Sequence, residues 1–153
     1  MSNALHINDW SFEISVTPSM QDTDAAMKEL LEKQSVKDTL LYFTENQDQI
    51  QLLLMNIIRE DYKKTFREYG EDEEIPLVEN DSELKELIMP LRVSIHEIVK
   101  DGYNYVGFGF DCSWQEEHGI GILMSKDRIV QHGGEDHAFL GYMSEEDATK
   151  VSD

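Results

Sequence analysis

The densest concentration of groups capable of chemistry is the run Asp111-Cys112-Ser113-Trp114-Gln115-Glu116-Glu117-His118-Gly119. Three uses of these side chains compete. A metal ion would take Glu116 and His118, with His132, Asp136 or His137 completing the set, because carboxylate and imidazole are suitable ligands. The spacing does not have the helical form of an HExxH site. A nucleophilic reaction would use Cys112 as the attacking thiolate and His118 as its base, which requires a nearby base and a lowered thiol pKa. Only proximity along the chain supports it, and a free cysteine is more often simply buried. The leading reading is structural. Trp114 anchors the loop in the core, Glu117 and His118 satisfy backbone donors or each other, and Gly119 and Gly121 let the chain turn or approach another backbone closely. No catalytic residue, metal ligand or cofactor is assigned on this reading.

Other motifs carry less. Gly133-Gly134 followed by Glu135-Asp136-His137 resembles a phosphate-cradling loop only superficially, since no Walker lysine follows and GxGxxG is absent. Gly107 and Gly109 alternate with phenylalanine in a GFGF run that reads as strand, with small residues beneath a bulky neighbour or a bulge. His6 and His96 are isolated and receive no role.

The elements that must position these residues are legible from periodicity. Trp10, Phe12, Ile14 and Val16 alternate as in a strand with one buried face, ended by Pro18. Asp22 and Thr23 are placed to cap a helix carrying Ala26, Met27, Leu30 and Leu31. Ser35 with Asp38 restarts or continues it through Val36, Leu40, Leu41 and Phe43. Thr44 and Gln47 have capping-box spacing ahead of Ile50, Leu54, Ile58, Tyr62 and Phe66, a stripe widened by Leu53, Ile57 and Tyr69 and stopped at Gly70. Asp81 or Ser82 caps a short helix through Leu87, ended by Pro90. Beyond Leu91 the period becomes that of strands. Arg92–Val99 and Tyr103–Phe110 flank Asp101-Gly102, the strongest short-range hairpin signal. Ile120–Met124 and Arg128–Gln131 form a second hairpin through Ser125, Lys126 and Asp127. The expected architecture is α+β: an N-terminal strand and helices (about 20–89) packed on a C-terminal four-stranded antiparallel β-meander (about 91–132), with a short tail, all in one domain over 1–153.

Charge narrows the function. The 153 residues hold 32 Asp and Glu against 13 Lys and Arg, a formal charge of −19. A passive nucleic-acid binder needs cationic charge to displace counterions, so that class is disfavoured, as is an anionic membrane surface. A cationic protein would instead be steered in quickly. The single cysteine, Cys112, excludes an intramolecular disulfide and a multi-thiolate metal site. Residues 1–10 lack the basic flank and apolar run of a signal peptide, and no stretch reaches the roughly 18–20 apolar residues of a membrane span. The expected location is cytoplasmic.

The run from Tyr105 through Gly107-Phe108-Gly109-Phe110-Asp111-Cys112-Ser113-Trp114 to Glu117-His118-Gly119-Ile120-Gly121-Ile122-Leu123 resembles a family of small bacterial domains of unknown function. Asp127-Arg128-Ile129-Val130 and Gly133-Gly134-Glu135-Asp136 match its continuation. Gln115 stands where that pattern has Asp, and Glu135 where it has Ala. The resemblance covers roughly residues 90–138 and supplies no activity. Such domains are similar in size and acidity to immunity proteins encoded beside bacterial toxins, including those of contact-dependent inhibition.

The leading expectation is therefore an immunity-type protein that binds and neutralises a cognate basic toxin domain, plausibly a nuclease, and is not itself an enzyme. Its contacts are expected among Glu68, Glu71, Asp72, Glu73, Glu74, Glu79, Asp81, Glu83 and Glu86, where carboxylates would occupy places the toxin reserves for phosphates. The alternatives are an acidic housekeeping scaffold whose charge serves solubility alone, and a metal-dependent hydrolase centred on Glu116, His118 and Asp136.

Overall fold

The protein is seen in a computed structural model that describes residues 4–17, 23–69, 75–114, 119–134 and 147–148. Ten elements follow in chain order. Strands β1 (Ala4–Ile7) and β2 (Trp10–Thr17) precede helices α1 (Thr23–Glu32), α2 (Gln34–Glu45), α3 (Gln47–Tyr69) and α4 (Asp81–Lys85). Strands β3 (Ile88–Lys100), β4 (Tyr103–Cys112), β5 (Ile120–Ser125) and β6 (Arg128–Gly133) complete the fold.

Local chemistry explains most of these boundaries. Asp101 and Gly102 both adopt positive φ, 55° and 89°, the backbone that joins β3 to β4 with the twist of a tight hairpin. Along α3, Ile50, Leu54, Ile58 and Tyr62 are buried at four-residue spacing and Phe66 is half-buried, so the stripe faces the core. The proposed cap at Thr44 is corrected. Thr44 lies inside α2, where its hydroxyl donates to the Leu40 carbonyl at 2.8 Å. The break falls at Asn46, whose amide side chain donates back to Tyr42 O at 2.9 Å while its own carbonyl accepts the Ile50 N–H at 3.0 Å. One residue thus ends α2 and starts α3. The expected stop at Gly70 and the cap at Asp22 lie outside what is described, and Thr23 is the first residue of α1.

The start of β3 is a second correction. Pro90 was expected to terminate a helix, yet it sits inside the strand opposite Phe110. Proline is tolerated there because pairing with β2 begins only at Arg92, and the β3–β4 register shifts between Pro90 and Arg92. α4 ends at Lys85, and its cap is Asn80 rather than Asp81 or Ser82: the Asn80 side chain accepts the Glu83 N–H at 2.9 Å.

The sheet is larger than the meander. Strands β3 to β6 are antiparallel neighbours in chain order, as expected, but the sheet has six strands in the order β1-β2-β3-β4-β5-β6. The N-terminal strand does not merely pack on the meander. β2 pairs in parallel with β3, from Glu13 opposite Arg92 to Thr17 opposite His96, and β1, unforeseen, adds to its other edge. A parallel pair cannot be closed by a tight turn, so the helices form the crossover and cover one face of the sheet. On that face the rings of Phe12, Phe43, Phe108, Phe110 and Trp10 meet edge to face at centroid distances of 5.1–5.6 Å, a favoured aromatic geometry. The β3–β4 ladder lapses between Ile95 and Val99. There the Asn104 N–H donates to the Thr39 hydroxyl of α2 at 2.9 Å and its side chain donates to His96 O at 2.8 Å. Among the described residues no helix is long and apolar enough to cross a membrane.

The opposite face holds a smaller cluster, Tyr105 and Leu123 with Ile98, Val130 and Ala148. It is closed by buried Asp147. That carboxylate accepts the Tyr105 hydroxyl at 2.5 Å and Arg128 through both oxygens, at 2.5 and 3.2 Å. The Arg128 hydrogen bonds outweigh burial and hold Asp147 down to about 2, while burial, followed by the hydrogen bond to Asp147, pushes the Tyr105 phenol well above its ordinary value.

Two outcomes are expected. Gly102→Ala meets no atom within 4 Å but keeps a positive φ, so it should cost about 1 kcal/mol in urea unfolding without changing the fold. Because the Asp147 pKa is lowered on folding, its contribution is complete above the ordinary carboxylate range and disappears as pH falls through about 2. Asp147→Asn should therefore lose about 1–3 kcal/mol at pH 7, a deficit that narrows between pH 4 and pH 2.

Candidate functional site

The acidic surface is organised by α4 and the extended segment 75–80 that leads into it. Tyr62, buried on α3, donates its hydroxyl to the Pro76 carbonyl and accepts the Val78 N–H at 2.9 Å, which ties residues 75–78 to the helix. Asn80 then caps α4, and Glu83 returns the contact by accepting the Asn80 amide at 3.3 Å. Arg59 of α3 grips Asp81 with two nearly parallel bonds, 2.9 Å from Nε and 2.5 Å from Nη2. This fork holds the Asp81 carboxyl below its ordinary range and the Arg59 guanidinium above its own. Asp81 is thus committed to fastening α4. At the other end of α4, Lys85 lies 3.7 Å from Asp9, which also accepts Gln51 at 2.8 Å and titrates low chiefly for that reason.

With α4 fixed in this way, Glu79, Glu83 and Glu86 stand exposed along one stretch, and Glu68 is exposed near the end of α3. No Lys or Arg pairs with any of these four among the described residues. Leu77 and Met89 flank the stretch in sequence and are 69% and 60% exposed. Apolar anchors within a charged rim are what a recognition surface requires. Asp9, Asp81, Ser82, Lys85 and Glu86 line a shallow depression of about 500 Å³ beside it. Of the remaining contact residues inferred from sequence, Glu71, Asp72, Glu73 and Glu74 lie outside the described residues.

The signature loop is placed differently. Trp114 is buried after β4, its ring edge-on to Tyr62 at 5.2 Å and its indole N–H donating to Asp61 at 2.8 Å. A buried indole requires an acceptor, but nothing in the pattern of α3 marks Asp61 as that acceptor. Gly119 has a φ of 59° at the entry to β5. Gly121 lies between Gly109 and Gly133 in a row across three strands. Glu116, Glu117, His118, Asp136 and His137 fall outside the described residues. Cys112 is buried at the end of β4, and His96 is buried in β3. His132 is exposed on β6, where with Glu60, Asp61, Lys64, Arg67 and Gly133 it lines a cleft of about 410 Å³. Among the described residues no group of three or more His, Cys, Asp or Glu is arranged to hold a metal ion.

A family model described as a domain of unknown function (DUF6985) matches residues 4–140. No curated protein and no solved structure matches the chain.

Trp114→Ala is expected to cost roughly 3–5 kcal/mol by emptying an aromatic site. Trp114→Phe, which mainly removes the bond to Asp61, should cost about 1–2 kcal/mol. Equal stability of Trp114→Ala and wild type in urea titration would show that the ring does not support the core.

Proposed function

We propose that this chain, which belongs to the family of domains of unknown function DUF6985, acts by binding a cationic protein rather than by catalysis. The observation that carries the reading is the set of exposed carboxylates Glu68, Glu79, Glu83 and Glu86, none of them paired with a Lys or Arg among the described residues, on a chain of net charge −19. Opposite charge accelerates encounter, and the exposed Leu77 and Met89 supply apolar area that such steering by itself does not. In its specific form this is an immunity-type activity in a bacterial cell. The domain would cover the phosphate-binding surface of a basic toxin of the nuclease class, with carboxylates standing in for phosphates.

Internal fastening fits that use. Asp81 spends its charge on Arg59, which leaves Glu83 on a short helix, with Glu79 and Glu86 just beyond its two ends, in a position fixed before a partner arrives. Preorganised carboxylates lose less conformational entropy on binding.

The test compares wild type with Glu79→Lys/Glu83→Lys/Glu86→Lys as baits in lysate of the source cell at low and high salt. A basic protein held by wild type at low salt, released by high salt and missed by the variant is the expected result. Co-production of the captured protein with wild type, but not with the variant, should restore growth if it is a toxin. Equal capture by both baits would overturn the assignment of this surface, and capture by neither at either salt would overturn the binding reading. Glu79→Lys and Glu86→Lys should each change stability by no more than about 0.5 kcal/mol, and Glu83→Lys, which loses its contact with Asn80 at the start of α4, by about 1 kcal/mol.

A further inference from the structure

The second face of the sheet carries an arrangement that the acidic surface does not use. Tyr105, Ser125 and Arg128 are register partners across β4, β5 and β6. Neighbouring strands stand about 4.8 Å apart, so the Tyr105 and Arg128 backbones are roughly 10 Å from each other with their side chains converging over β5. Lys100, at the end of β3, brings a third donor to the same point, its ammonium 3.9 Å from the Asp147 carboxylate. The three donors belong to β3, β4 and β6 of one hydrogen-bonded sheet, the kind of support that holds a constellation in place whether or not it is occupied. The occupant has a different origin. Asp147 follows β6 in the chain and is 6% exposed, with neighbouring Ala148 packed on Tyr105 and Leu123.

From this geometry we propose that Tyr105, Arg128 and Lys100 form a receptor for an oxyanion, the carboxylate or phosphate of a ligand, which the chain fills with its own Asp147. The contacts have the form that such recognition takes. A planar guanidinium meets both oxygens of the carboxylate, at 2.5 and 3.2 Å, and a phenol donates to one of them at 2.5 Å. Among the described residues two cations face one carboxylate, a charge that a phosphate dianion would match more closely. This concentration of donors stands out in a chain with only 13 Lys and Arg. Because Asp147 is tethered, its effective concentration is in the millimolar range or above. An external ligand must therefore bring additional contacts to displace it. The proposal is independent of the acidic surface and of the function assigned there.

The experiment is chemical rescue in Asp147→Ala, with thermal unfolding followed in sodium acetate, sodium phosphate and sodium chloride at matched ionic strength. Acetate or phosphate should raise the midpoint saturably, by about 3 °C at ten times the dissociation constant, and chloride should not. Acetate alone identifies a carboxylate receptor, and phosphate alone or more strongly identifies a phosphate receptor. The double variant Arg128→Ala/Asp147→Ala should lose the effect. If Asp147→Ala does not fold, Asp147→Glu and Asp147→Asn provide the same comparison: the receptor reading requires Asp147→Glu to retain more stability than the isosteric amide. No rescue beyond chloride, equal rescue in the double variant, or an amide as stable as the acid would each overturn the proposal.

Discussion

The parallel pairing of β2 with β3 is the constraint on which the rest of this structure depends. Antiparallel neighbours can be joined by two residues, but parallel neighbours need a crossover long enough to return to the starting end of the sheet. Here that excursion contains α1 to α4. Once β2 is held from Glu13 to Thr17 against Arg92 to His96, the helices must lie across one face. Their apolar stripes then close on Phe12, Phe108 and Phe110. The loop-closure entropy of so long an excursion is offset only if the crossover itself is buried, which is why Phe43, Ile50, Leu54 and Ile58 are fully excluded from solvent.

From that arrangement the two surfaces acquire different characters. The helix-covered face is aromatic, and where the ladder fails Asn104 donates to Thr39 and to His96 O. The other face has glycine at Gly107, Gly109 and Gly121 and a small apolar cluster, so a single charged network around Asp147 accounts for much of its organisation. At the rim, α4 is held by Arg59 through Asp81 and by Lys85 through Asp9. These cations are half-buried and committed to Asp81 and Asp9. The negative field follows from the excess of 32 acidic over 13 basic residues.

Much of the helical and meander structure was legible residue by residue. The α3 stripe follows from four-residue spacing, and the β3–β4 hairpin follows from Asp101-Gly102, because both signals are local and each has one main structural solution. The errors lie where two local signals compete. Thr44 and Gln47 have capping spacing, but Asn46 takes the boundary because its side chain and carbonyl serve both helices at once. Pro90 resembles a helix stop until β2 is known to begin pairing only beyond it.

The sequence by itself determined the acidity, the α+β composition, the periodic helix and the order of the four C-terminal strands, since composition and short-range periodicity act within a few residues. It also marked a chain region from Glu68 to Glu86 rich in carboxylates. Only the tertiary structure decided which of those carboxylates meet a cation: Asp81 is held by Arg59, 22 residues away, whereas no Lys or Arg among the described residues pairs with Glu79, Glu83 or Glu86. It alone placed β1 and β2 at the edge of the meander, gave Trp114 its acceptor in Asp61, and brought Asp147 to Tyr105 and Arg128. The physical reason is the same in each case. These partners are joined through space by the closing of the sheet, and no periodicity along the chain records which distant side chain will complete a buried donor or charge.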